Sequence, residues 1–230
     1  MDRARVVSVN PVQDERGSLR RSLQRAAGSA VVLGATALKW AFLFGKFFAF
    51  FVSFALYSYL FGSWEFGLGL VLLILVHEMG HFVEAKRQHI HVTLPTFIPF
   101  VGAYVMTRRE HVSPWGSALV SLAGPLVGSV GAAAAWAASS FGDAQLLVGL
   151  ANLGFFLNAF NLLPIGFLDG GSVARAFGQE RHGWIRYANG VPVEAVHPNH
   201  ERARAIVLLY VLLAAAVVIG LIATKPNGAL

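Results

Sequence analysis

The chain of 230 residues contains no cysteine and few charged side chains. Without cysteine there can be no disulfide and no thiolate metal ligand, so any metal chemistry falls to histidine and carboxylate groups. Charged residues make up only 13% of the chain, whereas hydrophobic residues make up 56%. Soluble domains carry about 25% charged residues. The composition therefore excludes an ordinary soluble domain and predicts a membrane protein.

Long apolar runs predict how the chain crosses the bilayer. A helix needs about 20 predominantly apolar residues to span the hydrocarbon core. Such runs predict an all-α polytopic membrane protein with about five transmembrane helices. A further apolar stretch, 26–46, is interrupted by Lys39 and Lys46, and it is a candidate for a sixth span. A segment with Pro95, Pro99 and Gly102 is predicted to form a small membrane-associated β or re-entrant element. The spans are predicted at 40–61, 65–85, 115–138, 145–167 and 205–223.

The polar ends of the chain are predicted to flank a single membrane-embedded domain, 26–223. Residues 1–25 carry six arginines and lack the apolar core of a signal peptide, so we expect a basic cytoplasmic arm. Residues 224–230 are predicted to form a short tail.

The net charge of +6 is distributed unevenly along the chain. Basic patches attract nucleic acid. With five alternating spans, however, the basic residues of the arm and of segments 86–109 and 175–204 would all lie on one face of the membrane. This asymmetry follows the positive-inside rule. We therefore expect the N-terminus inside the cell, contact with the lipid bilayer and no nucleic-acid partner. The excess of arginine over lysine, with abundant alanine, is typical of a high-GC bacterial genome and predicts a bacterial cytoplasmic membrane.

The second predicted span contains HEMGH, residues 77–81, which matches the H-E-x-x-H pattern. Histidines four residues apart lie on one helix face, so His77 and His81 can bind one zinc ion while Glu78 activates water. Ionisable groups inside a membrane are energetically costly, which makes them candidates for function. The pattern predicts a metal site near the cytoplasmic face.

A catalytic zinc site usually takes a third protein ligand. Asp169 is the best candidate because it follows the fourth predicted span in an apolar frame, at a membrane depth similar to that of His81. The alternative is a membrane protease that takes a glutamate as the third ligand. Three downstream residues are available for that role: Glu180, Glu194 and Glu201.

Three ordered motifs together carry a family resemblance. HEMGH, SLAGPLVG at 121–128 and NLLPIGFLDGG at 161–171 resemble the site-2 protease family of intramembrane zinc metalloproteases. The sequence departs from better-known members of that family, and we expect a compact member without an inserted PDZ-like domain or a nucleotide-sensing module. The resemblance implies hydrolysis of peptide bonds in or near transmembrane segments of a membrane-spanning protein substrate, with one Zn²⁺ per chain.

The same resemblance implies roles for particular residues. His77, His81 and Asp169 would ligate zinc, Glu78 would be the general base, and Asn161 would steady the substrate carbonyl. The segment after the first motif would receive an extended substrate. Its candidate substrate-binding residues are Phe97, Phe100, Gly102 and Tyr104.

One further hypothesis belongs to a different functional class. A zinc-binding membrane protein without protease activity, such as a transporter or an inactive relative, would also need histidine and carboxylate ligands. Glu78 argues against it, because a pure binding site has no need of a general base. A transporter would also need more than one buried polar cluster along the membrane normal.

Overall fold

Helices account for most of the part of the chain that the structure, a computed structural model, describes. The described residues are 34–36, 48–90, 92, 96–98, 102–104, 112–188 and 191–225. Two compact units, Met1–Phe48 and Ala49–Leu230, divide the chain. In the first unit residues 34–36 are helical. The longer helices are α1 (Phe48–Phe61), α2 (Trp64–Arg87), α3 (Pro114–Ala138), α4 (Ala144–Asn161), α5 (Asp169–His182) and α6 (His200–Ala223).

Four of these helices, α2, α3, α4 and α6, are long and apolar enough to cross a membrane. The predicted fold class, an all-α polytopic membrane protein with a small β segment, is confirmed. The predicted first span, 40–61, starts outside the described residues, and its described part is α1. Helix α6 leaves many large apolar side chains exposed, among them Leu208, Leu212 and Ile219. Such a surface is suited to lipid.

Local sequence signals set where the four long helices begin. In each case a short polar side chain just before the helix accepts a hydrogen bond from a backbone N–H of the first turn, which satisfies a group that the helix leaves unpaired. The capping residues are Ser63 for α2, Ser113 for α3, Asp143 for α4 and Asn199 for α6.

The predicted fourth span, 145–167, is longer than helix α4, which ends at Asn161. Pro164 follows three residues later, and a proline cannot continue the hydrogen-bonded ladder of a helix. The chain turns through 162–168 and then starts α5 at Asp169. Asp169 is therefore the first residue of a separate helix.

Helix α3 lies at the centre of the bundle and contacts α2, α4, α5 and α6. Its small residues allow this, since helices can approach closely only where side chains are short. A Cβ atom at Gly80 of α2 would overlap the backbone carbonyl of Ala123 in α3. The buried apolar core around α3 consists of Ala118, Leu122, Ala132, Phe155, Leu162, Val173, Ala176, Ile206 and Val217.

Two antiparallel hairpins complete the described structure. Strands β1 (Thr96–Ile98) and β2 (Gly102–Tyr104) form a hairpin in the segment after α2, where the sequence predicted a β or re-entrant element, and β2 contacts α2. Strands β3 (Trp184–Ala188) and β4 (Val191–Val196) form a second hairpin. Sequence analysis missed this second hairpin, although the Asn-Gly pair at 189–190 between two β-rich runs is a strong hairpin signal.

Candidate active site

The H-E-x-x-H residues lie in the second half of α2. His77 and Glu78 are buried, and His81 is one turn further along the helix. Ligand atoms of these three side chains all lie within 4.8 Å of one another. The helical spacing has therefore brought them to one position, as the sequence pattern predicts.

Each histidine ring is held by a hydrogen bond from its Nδ1 atom. His81 Nδ1 lies 2.7 Å from the carbonyl oxygen of Val120 in α3. His77 Nδ1 lies 2.7 Å from Asn158 Oδ1 in α4. Because oxygen atoms of this kind only accept, each Nδ1 donates, and the neutral ring keeps the lone pair of Nε2 free for a metal.

Asp169 supplies the third group. Its Oδ2 atom lies 3.2 Å from His77 Nε2, and its Oδ1 atom lies 3.4 Å from His81 Nε2. The two Nε2 atoms are 3.2 Å apart. Three acceptor groups from α2 and α5 thus converge at one point, an arrangement that a cation would stabilise.

The distances between these atoms fit a zinc ion. Zinc ligands lie about 2.0–2.2 Å from the metal in tetrahedral sites, which separates neighbouring ligand atoms by about 3.3–3.6 Å. The observed separations are 3.2–3.4 Å. Two imidazoles and one carboxylate are also a donor set that zinc accepts, with one position left for a substrate or water.

Glu78 is unusual among the buried carboxylates. Its Oε2 atom is shielded from solvent and has no hydrogen-bond partner among the described residues. A buried polar atom without a partner is energetically costly, so it points to a functional role. A carboxylate that must accept a proton during a reaction needs such a free oxygen atom.

Glycines of α3 make room for side chains of the candidate site. A Cβ atom at Gly124 would overlap the imidazole of His81, and one at Gly128 would overlap the amide of Asn158. Both glycines belong to SLAGPLVG, one of the three motifs that carry the family resemblance. Helix α3 thus packs against side chains of the site itself.

Two further glycines allow the backbone at the start of α5, next to Asp169, to lie close to the preceding turn. Cβ atoms at Gly170 and Gly171 would overlap backbone carbonyl groups of 162–166. Arg175 of α5 donates from one Nη atom to the carbonyl oxygen of Gly166 at 2.6 Å, and from the other to Ser172 Oγ at 2.7 Å. These contacts hold the start of α5, and with it Asp169, against the turn.

The structure distinguishes two asparagines of α4, Asn158 and Asn161. Asn158 is buried and binds His77. Asn161 is the last residue of α4 and half-buried, and no side-chain hydrogen bond of Asn161 is observed within the described part of the chain.

Three of the four predicted substrate-binding residues lie in the first hairpin. Phe97 is in β1, while Gly102 and Tyr104 are in β2. Phe100 lies outside the described residues. Phe97 pairs with Ala103 across the hairpin.

The three glutamates considered as alternative third ligands have other positions. Glu180 is buried in α5, where its Oε1 atom accepts the backbone N–H of Trp115 at 3.1 Å. Glu194 forms an ion pair with Arg186 at 2.6 Å across the second hairpin. Glu201 is exposed in the first turn of α6. Of the four carboxylates, Asp169 is the one within 3.4 Å of both histidines.

The fold and the donor set define a helical membrane protein with a candidate metal centre of the H-E-x-x-H type. Residues 65–144 match the family model described as Peptidase family M50. This match confirms the predicted resemblance to the site-2 protease family. It includes HEMGH and the glycines of α3, and it ends before Asp169.

Curated relatives carry metalloprotease names. Over 122 residues the chain is 28% identical to Zinc metalloprotease MJ0392 of Methanocaldococcus jannaschii, covering 51% of this chain and 35% of that protein. Over 172 residues it is 28% identical to the Probable zinc metalloprotease EGY1, chloroplastic, of Arabidopsis thaliana, covering 54% and 31%. Over 132 residues it is 33% identical to the Putative zinc metalloprotease Rip3 of Mycobacterium tuberculosis, covering 52% and 33%. The chain thus spans about a third of the length of these relatives.

Proposed function

We propose that the chain is a zinc metalloprotease that hydrolyses peptide bonds in or near transmembrane segments of membrane proteins. The observation that carries this proposal is the convergence of His77, His81 and Asp169 within 3.4 Å beside a buried carboxylate, Glu78. The family match and the names of the relatives support it.

Each residue of the site has a defined task in this proposal. His77, His81 and Asp169 would hold one zinc ion, which would supply Lewis acidity that acidifies water and polarises the scissile carbonyl. Glu78 takes a proton from the attacking water through its unpaired Oε2 atom and passes it to the departing amine. The proposed task of Asn161, to steady the substrate carbonyl, uses an amide that is not engaged in the histidine contacts.

The position of the site along α2 supports a substrate inside the membrane. His81 lies six residues before Arg87, the last residue of this candidate span, which is about 9 Å along a helix axis. Lys86 and Arg87 are basic residues suited to a cytoplasmic boundary. The proposed active site therefore lies inside the bilayer but within reach of water from its cytoplasmic face.

The substrate would bind in an extended form. A helical substrate has its carbonyl groups engaged in hydrogen bonds, so it must unwind before cleavage. Strands β1 and β2 form a two-stranded hairpin, and an extended segment can add to the edge of such a sheet. Phe97, Phe100, Gly102 and Tyr104 are the proposed contacts for the substrate.

One experiment tests the activity while the substrate is still unidentified. Membranes from cells producing wild type or Glu78→Gln would be compared for new protein N-termini by mass spectrometry. Cuts within or next to transmembrane segments are expected in wild type, and their rate should fall by about 10²-fold or more in the variant. Zinc content should be the same in both proteins. Identical cleavage patterns would contradict the proposal, and would favour a zinc-binding membrane protein without protease activity.

A further inference from the structure

A groove of about 630 Å³ runs between helices α5 and α6, and none of its lining residues belongs to the candidate active site. Its two ends differ in chemistry. Three basic side chains lie at one end, and three aliphatic side chains of α6 continue from them along the helix. The residues that carry the argument are Arg181, His200, Arg204, Val207, Leu208 and Val211.

The basic end has no anionic partner in the described structure. Neither Arg181 nor Arg204 has a carboxylate within 4.0 Å among the described residues. The Arg181 guanidinium instead lies over the ring of Phe177, 5.9 Å from its centroid. The nearest acidic residues in sequence are Glu180, which is bound to Trp115, and the exposed Glu201. Arg181 and Arg204 carry two positive charges and the exposed Glu201 carries one negative charge, so the net charge of this end of the groove is positive.

The apolar end follows the same helix toward the bilayer. Val207, Leu208 and Val211 come three, four and seven residues after Arg204, so Val211 is about 10 Å from Arg204 along the axis. All three are exposed, and α6 is the most apolar of the candidate spans. A cationic group at the start of a membrane span, followed by an apolar surface, matches a phosphate headgroup and an acyl chain.

We propose that this groove binds one anionic phospholipid of the surrounding bilayer. The phosphate would accept hydrogen bonds from Arg181 and Arg204, because guanidinium groups bind phosphate through paired N–H donors. One acyl chain would lie along Val207, Leu208 and Val211. The proposal depends on α6 crossing the membrane and does not depend on protease activity.

The test measures lipid binding to the full chain in dodecyl maltoside micelles. A lipid that binds the folded state raises the midpoint of thermal unfolding, and with lipid in excess the rise grows with the logarithm of its affinity. Phosphatidylglycerol is expected to raise the midpoint, and phosphatidylcholine with the same acyl chains is not. Arg204→Gln should weaken the apparent affinity for phosphatidylglycerol about fivefold. Arg202→Gln is the matched control, because Arg202 is also exposed on α6 but does not line the groove.

A second pair of variants tests the acyl chain. Val207→Trp should fill the groove and weaken phosphatidylglycerol binding with all charges kept. Val218→Trp is its control, since Val218 is 45% exposed on the same helix against 43% for Val207 and lies outside the groove. Equal losses in Arg202→Gln and Arg204→Gln would overturn the proposal, because they indicate diffuse surface attraction. Equal stabilisation by inorganic phosphate, or unchanged binding in Val207→Trp, would also overturn it and indicate a site for a free anion.

Discussion

The Nδ1 atom of His77 lies 2.7 Å from the Oδ1 atom of Asn158, which is 81 residues further along the chain. Both side chains are buried. The hydrogen bond fixes the imidazole so that its Nε2 atom points at His81 and Asp169. It therefore links helix α4 to the geometry of a site whose proposed ligands all come from α2 and α5.

This bond predicts the effect of Asn158→Ala. Loss of a group that orients a ligand histidine typically lowers metal affinity by about 10–100-fold. Asn152→Ala is the matched control, because Asn152 is on the same helix and its amide bonds the carbonyl oxygen of Leu221 at 3.1 Å instead. Zinc affinity would be measured by competition with a chelator. Equal affinity in both variants would refute a positioning role for Asn158.

The proposed ligand set predicts zinc content. Wild type and Glu194→Ala should hold about one zinc per chain by elemental analysis, whereas His77→Ala and Asp169→Ala should lose it. Glu194 is paired with Arg186 on the second hairpin, so its removal changes charge without touching the site. Zinc retained in Asp169→Ala would rule out Asp169 as the third ligand.

The contact between α3 and the site predicts a defect in Gly124→Ala. The added methyl group would overlap the His81 ring, which must then shift or push the helices apart. Overpacking of this kind costs about 1–3 kcal/mol, and a displaced ring should also lower zinc affinity. In Gly131→Ala, the control on the same helix, the nearest atom is Val76 Cγ1 at 3.1 Å, and the three nearest atoms belong to Val76 and Leu73 rather than to a proposed zinc ligand. Both variants would be compared by chelator competition and thermal unfolding. The idea fails if Gly124→Ala binds zinc as tightly as Gly131→Ala.

Glu180 is expected to act on stability alone. Its buried carboxylate accepts the backbone N–H of Trp115 in the first turn of α3. Glu180→Ala would leave that N–H unpaired, which typically costs about 1–3 kcal/mol, so the unfolding midpoint should fall while zinc content stays unchanged. Thermal unfolding and elemental analysis of the same sample separate the two effects. Loss of zinc in a folded Glu180→Ala protein would revive the glutamate-ligand alternative.

Several features of the site could be predicted from sequence because they depend on local periodicity. The spacing of His77 and His81 brings both rings to one helix face in any α-helix that contains them. The apolar frame around Asp169 marked it as a candidate ligand. By contrast, Asn158 could not be separated from Asn161, since both are polar residues near the end of one span and only a contact with another helix distinguishes them.

The contacts of the α3 glycines also could not be predicted from the sequence. A glycine in a membrane helix is compatible with many packing partners, so its sequence position alone does not say which atom comes close. Only the structure shows that the atoms next to Gly124 and Gly128 belong to His81 and Asn158. The second hairpin is a different case. The Asn-Gly pair at 189–190 is a local signal from which this hairpin could have been predicted.

The sequence by itself determined the membrane-protein class, the starts of α2, α3 and α4 to within one residue and the pairing of His77 with His81. Composition, helix caps and a four-residue spacing act over short stretches of chain. Tertiary structure decided that Asp169 starts a separate helix and meets both histidines, and that Asn158 orients His77. These contacts join residues more than 75 positions apart, so they depend on how α3 packs α2, α4 and α5 together rather than on any local pattern.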